Sequence, residues 1–218
     1  AYVLGEKLGQ GGFGEVWTAE HALLKRPAAV KLVRMREGDD RSRRAIAHQR
    51  FVREAMTTAQ LENPHSIRVY DYGSEDDGTF FLAMELLDGI DLHDLVKRFG
   101  VQPPARVVHI LEGMCSSLAE AHDKGLLHRD VTPSNVFVCR MGGEVDVVKV
   151  LDFGLVKRVA TAPGESQSGG STLTMEGTAM GTPGFMAPET IRALPSIDQR
   201  ADLYAVGCVA WWLLCGFR

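Results

Sequence analysis

What is scarce in this 218-residue chain removes several classes of function before any motif is read. There is no basic excess: 24 Lys and Arg stand against 28 Asp and Glu, a formal net charge of -4. A general binder of nucleic acid or of an anionic membrane surface would normally show the opposite balance, so small molecules and proteins are the expected partners. Cysteine is sparse, with four residues (Cys115, Cys139, Cys208, Cys215) and no C-x-x-C spacing. They read as reduced core residues of a cytosolic protein, not as a disulfide framework or a metal site. No apolar run is long enough for a membrane span: Leu203 to Phe217 is shorter than the about 20 residues a bilayer requires and reads as a buried core helix. No secretory leader opens the chain, and Ala1 in place of Met suggests a segment excised from something longer, such as the cytosolic domain of a larger protein. Apolar content, in contrast, is ample at 45%, enough for one large domain or two small lobes.

The densest chemistry runs from His128 to Gly154. It reads His128-Arg129-Asp130-Val131-Thr132-Pro133-Ser134-Asn135, a Val136 to Val138 strand, a Met141-Gly142-Gly143 turn, a returning Val145 to Leu151 strand, and Asp152-Phe153-Gly154. Two β-rich arms around a glycine turn form a hairpin that brings Asp130, Asn135 and Asp152 to one end. All three carry oxygen ligands. Hard divalent cations such as magnesium take carboxylate and amide oxygens together with substrate phosphates, so the set suits phosphoryl transfer better than zinc hydrolysis.

Upstream, Gly9, Gly11 and Gly14 make a G-x-G-x-x-G. The same letters occur at dinucleotide-binding turns, but there a helix opens after the third glycine. Here Val16, Trp17 and Thr18 are strand formers, so the context is strand, loop, strand, a flap whose backbone N–H groups approach phosphates closely. The next strand, Ala28 to Leu32, sets Lys31 in an apolar run, and a buried ammonium calls for a carboxylate and phosphate oxygens. Phe51, Glu54, Thr58 and Leu61 share one helical face that Asn63-Pro64 ends, which puts Glu54 on the buried stripe. The arginine-rich stretch between Lys31 and Phe51 reads as a solvated loop and helix entry, with a dock for a partner or a phosphate as the alternative. Ile67 to Tyr72 and Thr79 to Met84 read as strands around a Gly73 to Gly78 turn. Pro103-Pro104 precedes a helix with a stripe of Val107, Ile110, Leu111, Met114, Leu118 and Ala121, ended by Gly125. Thr161 to Thr178 is rich in Ser, Thr and Gly without apolar period and reads as a mobile segment. Asp198 to Leu214 reads as a long apolar helix.

Taken in order, these motifs resemble the protein kinase catalytic domain of serine/threonine type, in a wording similar to bacterial kinases of the eukaryotic type. The resemblance spans essentially the whole chain. It implies an α+β, two-lobed protein kinase fold with a small β-rich N-lobe and a larger, mainly helical C-lobe, truncated after its central helix. The implied divisions are residues 1–84 for the N-lobe, 85–91 for the hinge and 92–218 for a partial C-lobe with the activation segment at 152–189. The implied activity is transfer of the ATP γ-phosphate to Ser or Thr hydroxyls of proteins, with self-association for autophosphorylation. Phosphorylation within Ser171 to Thr178, first at Thr172 or Thr174, is expected to raise activity by ordering the segment against Arg129 beside Asp130. Its cofactors are ATP and magnesium. A nucleotide-binding pseudokinase acting as a scaffold is the alternative.

The same resemblance assigns roles by position. Asp130 is the catalytic base, Asn135 and Asp152 hold magnesium, and Lys31, paired with Glu54, holds the α- and β-phosphates. The nucleotide is enclosed by Leu8, Gly9, Gln10, Gly11, Gly12, Phe13, Gly14, Val16, Ala29 and Phe137. Met84 is the gatekeeper, the Glu85 to Leu87 backbone meets the adenine edge, and Asp91 reaches the ribose. Gly181 to Glu189 closes the activation segment, and Asp202 caps the backbone of the catalytic loop. Thr132 departs from the pattern, since a lysine is usual there, and implies a slower enzyme.

Overall fold

The computed structural model describes residues 2–11, 14–33, 52, 55–75, 78–153, 183–192, 194 and 196–216. Three strands follow one another at its start: β1 (Tyr2–Gly11), β2 (Gly14–His21) and β3 (Pro27–Val33). With β4 (Val69–Ser74) and β5 (Phe80–Met84) they make an antiparallel sheet in the order β1-β2-β3-β5-β4. Strand β3 is central, and its run of buried residues from Ala28 to Lys31 is what a strand covered on both faces requires. Ala19, Val30 and Ala83 form a core cluster on neighbouring strands, with Tyr2, Leu32 and Phe81 packed against it. Strand β4 corrects the sequence reading: it starts at Val69, not Ile67, and runs on through Gly73 and Ser74, which composition assigned to a turn. Gly73 lies under an aromatic ring, where a Cβ would come within 2.7 Å of the Phe81 ring, so this glycine marks a close approach inside a strand.

A second, three-stranded sheet has the order β6-β7-β8, from β6 (Gly89–Asp91), β7 (Val136–Met141) and β8 (Glu144–Val150). Gly142 and Gly143 turn the β7–β8 hairpin at φ 57 and 92, backbone angles that glycine adopts without steric cost. Helix α1 (Leu92–Phe99), which the sequence reading did not separate from the connecting segment, starts where the Asp91 carboxylate accepts the Asp94 N–H at 2.8 Å. Helix α2 (Pro104–Asp123) buries Val107, Ile110, Met114, Leu118 and Ala121 as expected, leaves Leu111 of the expected stripe half-buried, and adds Gly113 and Ser117. Gly113 is small because a Cβ there would sit 2.8 Å from Val148 on β8. A short helix α3 (Pro188–Ile191) precedes α4 (Arg200–Cys215), which starts two residues later than the periodicity suggests and ends at Gly216 in the left-handed conformation. One side of α4 is buried through Ala205, Val206, Val209 and Leu213. Another exposes Leu203, Tyr204, Trp211 and Leu214.

These elements fall into two units. The first takes 2–62 and 67–87, the second Asn63–Ser66 and the described residues from Asp88 on. The four-residue insertion of the first stretch into the second unit is held by polar bonds. Asn63 donates through its backbone to the Glu120 carboxylate at 2.9 Å and through its side chain to the Ser116 hydroxyl at 2.8 Å. The Ser66 and Ser117 hydroxyls are 2.8 Å apart and buried. The Val150 N–H donates to the His65 carbonyl at 2.7 Å.

Candidate active site

The catalytic stretch is positioned from both ends. At one end the β7–β8 register pairs Val136 with Val150, so the residues just outside the hairpin, Asn135 and Leu151, face each other. The Leu151 N–H donates to the Asn135 carbonyl at 2.9 Å. The Asn135 N–H in turn donates to the Thr132 carbonyl at 3.0 Å, closing a short 3-10 turn over Pro133–Asn135. The Asn135 amide nitrogen donates to the Asp130 carbonyl at 2.9 Å and to its carboxylate at 3.3 Å. With the nitrogen so engaged, the amide presents its oxygen as the remaining acceptor.

At the other end Asp202, on the first turn of α4 and 2% exposed, gathers three donors. Its carboxylate accepts the backbone N–H of His128 at 2.9 Å and of Arg129 at 2.8 Å, and lies 2.8 Å from Nε2 of His122. This grip holds Arg129 at φ 64, a left-handed conformation uncommon outside glycine. Asp152 is held at φ 59 in the same region of backbone space. The fully buried His128 ring joins the two ends. Its Nδ1 accepts the Asp130 N–H at 3.3 Å and its Nε2 meets the Leu151 carbonyl at 2.8 Å, which puts the ring proton on Nε2. The ring also lies against Phe153, with centroids 4.9 Å apart. Asp130, Asn135 and Asp152, the residues expected to bear the chemistry, are thus fastened to one frame by the hydrogen bonds of this stretch.

In the first unit the expected site residues are placed by strand register. Lys31 is 8% exposed on β3, opposite Val16 on β2 and Leu82 on β5. Ala29 is opposite Met84. Gly14, at φ 136, has its backbone against the Leu32 carbonyl, and a Cβ there would run into that group, so the return strand of the glycine hairpin lies directly on β3. The Glu85 N–H donates to the Arg68 carbonyl at 3.0 Å and its carboxylate accepts the Arg68 N–H at 2.8 Å, which fixes the segment that leaves β5.

The protein kinase domain family matches residues 2–218. The chain belongs to that family. It is 39% identical over 209 residues to the serine/threonine-protein kinase pkn3 of Myxococcus xanthus, covering 96% of this chain and 36% of that protein. It is also 39% identical over 215 residues to the serine/threonine-protein kinase PknD of Mycobacterium tuberculosis, covering 99% of this chain and 30% of the relative. To PknB of the same species it is 34% identical over 218 residues, covering 99% and 32% respectively. The chain therefore spans about a third of the length of these relatives.

The protein kinase domain carries its expected residues in two sets, each inside one unit. Asp130, Asn135, Asp152, Asp91 and Phe137 belong to the second unit, where β6 pairs Asp91 with Phe137. Leu8, Gly9, Gln10, Gly11, Gly14, Val16, Ala29, Lys31, Met84, Glu85 and Leu87 belong to the first. Gly12, Phe13, Glu54, Thr172 and Thr174 lie outside the described residues, as does most of the segment between Asp152 and Pro183. Reading the chain by residue missed His122, the acceptor role of the Leu151 carbonyl, and the anchoring segment Asn63–Ser66. Only the turn signal at Asn63-Pro64 hinted at the last. The Asn135 and Asp152 oxygens fit a magnesium ion, which keeps several waters and takes one or two protein carboxylate or amide oxygens beside phosphate. Among the described residues no group of three or more His, Cys, Asp or Glu forms a self-contained metal site, and no helix is long and apolar enough to cross a membrane.

Proposed function

We propose that this domain transfers the γ-phosphate of ATP to serine and threonine hydroxyls of proteins, its own chain included. The observation that carries this reading is the Asn135 side chain. Its amide nitrogen ties down both the carbonyl and the carboxylate of Asp130, while its backbone carbonyl holds the strand end that leads to Asp152. One residue thereby sets the spacing between a base and a metal ligand.

In the reaction Asp130 orients the substrate hydroxyl and accepts its proton as the oxygen bonds to the γ-phosphorus and the bond to ADP breaks. Asn135 and Asp152 would hold magnesium, which when bound neutralises charge on the phosphates. Lys31, buried on β3, contacts the α- and β-phosphates with Glu54 as its partner, and the glycine hairpin covers them from the backbone. Met84 and the Glu85 to Leu87 backbone meet the adenine, and Asp91 the ribose. Residues 1–84 act as the N-lobe, 85–91 as the hinge and 92–218 as the C-lobe portion. The bacterial relatives are named for the serine/threonine specificity adopted here.

The test is single-turnover transfer of labelled γ-phosphate on the full protein that carries this domain, with itself and a Ser/Thr-rich protein as acceptors. Transfer to serine and threonine supports the reading. Magnesium-dependent ATP binding with no transfer to any acceptor would replace it with a nucleotide-binding scaffold.

A further inference from the structure

The glycine hairpin of the first unit is irregular where regularity would be expected. Strand β1 is the edge of its sheet, and its ladder with β2 slips twice, between Leu4 and Lys7 and between Lys7 and Gly9. Such bulges interrupt the backbone ladder and loosen an edge strand. The return strand is secured against β3 at Gly14, and on β1 the first slip is bridged by the Thr18 hydroxyl, which accepts the Glu6 N–H at 2.8 Å and donates to the Glu6 carbonyl at 3.2 Å. At the second slip a side-chain cluster lies across the two strands. The Lys7 ammonium donates to the Glu15 carboxylate across the strands at 2.8 Å and to the Gln10 side-chain oxygen at 2.7 Å. The other Glu15 oxygen accepts the Trp17 indole N–H at 3.2 Å, and the ammonium sits 5.8 Å from the Trp17 ring centroid. Lys7 and Glu15 side chains are 33% and 25% exposed, so the pair is partly sheltered from water.

We infer that Lys7, Glu15 and Trp17 form a clasp that holds the edge arm of the glycine hairpin closed, and that Lys7 and Glu15 are positioning residues for the nucleotide. The inference rests on the reading that this hairpin covers phosphate. Gln10, drawn back to Lys7, and Glu15 directly after Gly14 bracket the loop at its two bases. The clasp therefore sets how Gly9, Gln10 and Gly11 of the edge arm lie against β2 before any ligand arrives. Charge-assisted bonds are the stronger kind, and a sheltered pair keeps more of its strength than a solvated one. Opening the clasp forces the nucleotide to order the loop on binding, which weakens affinity without altering the groups that act on the bound γ-phosphate.

The experiment uses Lys7→Met, Glu15→Gln and the double variant of the full protein, with Lys25→Met as control. Lys25 pairs with Glu20 at 3.1 Å at the far end of β2, so its loss removes a more solvated ion pair of the same type away from the loop. Two quantities are read: hydrogen exchange of the Gly9, Gly11 and Val16 amides without nucleotide, and KM for ATP with kcat. Both single variants should speed exchange and raise KM about two- to fivefold, on the scale of a partly exposed ion pair, with kcat unchanged. The double variant should be no worse than either single one, because the two residues act as a unit. Unchanged exchange, additive effects, or an equal effect from Lys25→Met would overturn the clasp. Faster exchange with unchanged KM would overturn the positioning role. If the unaltered protein neither bound nor used ATP, the proposed function would fall and the positioning role with it. The exchange measurement would still decide whether the clasp exists.

Discussion

The two units place their functional side chains by different means. In the first, Lys31 and the glycine hairpin are positioned by strand register, so each is fixed by the many small terms that hold a ladder together. In the second, Asp130 sits on a loop with no ladder of its own, held by a few buried polar bonds to Asp202, His128 and Asn135 and carrying left-handed residues at Arg129 and Asp152. A ladder degrades gradually when one residue changes. A loop suspended from one carboxylate does not, since each lost acceptor leaves buried donors with nothing to bond.

That contrast is broken most severely at the chemistry itself. Asp130→Asn and Asp152→Asn are each expected to lower transfer by about a thousandfold or more, within the range for a removed base or metal ligand. Only Asp152→Asn should also weaken magnesium-dependent ATP binding, and titration with and without magnesium separates the two. If Asp130→Asn kept near-normal turnover, the division of roles would be wrong.

Next comes Asp202→Ala. It strands the N–H groups of His128 and Arg129 and should cost about 3 kcal/mol or more in urea unfolding, while Asp202→Asn, which keeps one acceptor, costs less. Equal losses for the two variants would mean that the carboxylate is not the organising group. On the register side, Gly14→Ala should cost about 2 kcal/mol from a left-handed backbone and a clash with Leu32. Thr132→Lys is expected to raise single-turnover kcat about tenfold, because a threonine offers only a neutral hydrogen bond where a cation would meet developing charge. A rate that did not rise would assign that charge to another residue. The smallest effect is Gly9→Ala, which has open space around it and should stay within about 0.5 kcal/mol.

The strands and long helices were legible because their periods and their glycine and proline punctuation agree. Helix α2 came out with nearly the residues that the pattern indicates, and so did β8, while β7 runs on through Met141, which the pattern assigned to the turn. The site was legible in its residue types but not in its supports. Nothing in the local sequence shows that Asp202 caps backbone more than 70 positions earlier, or that His128 spans from Asp130 to Leu151, because those bonds depend on tertiary neighbours. The family resemblance, not the pattern, supplied the first. Gly73 was misread for a related reason: a glycine reads as a turn until the Phe81 ring above it is seen.

The insertion of Asn63–Ser66 into the second unit bears on how this domain can be divided. The chain leaves the first unit at Asn63, returns at Ile67 and leaves again at Asp88, so no single cut yields two whole halves. A fragment starting at Asp88 would carry every described helix of the second unit. It would lack the His65 carbonyl that receives the Val150 N–H, two residues before Asp152, and the hydroxyl that meets Ser117. Split versions of this protein, for reassembly on demand, should therefore be cut elsewhere, or be supplied with the missing tetrapeptide on the second piece.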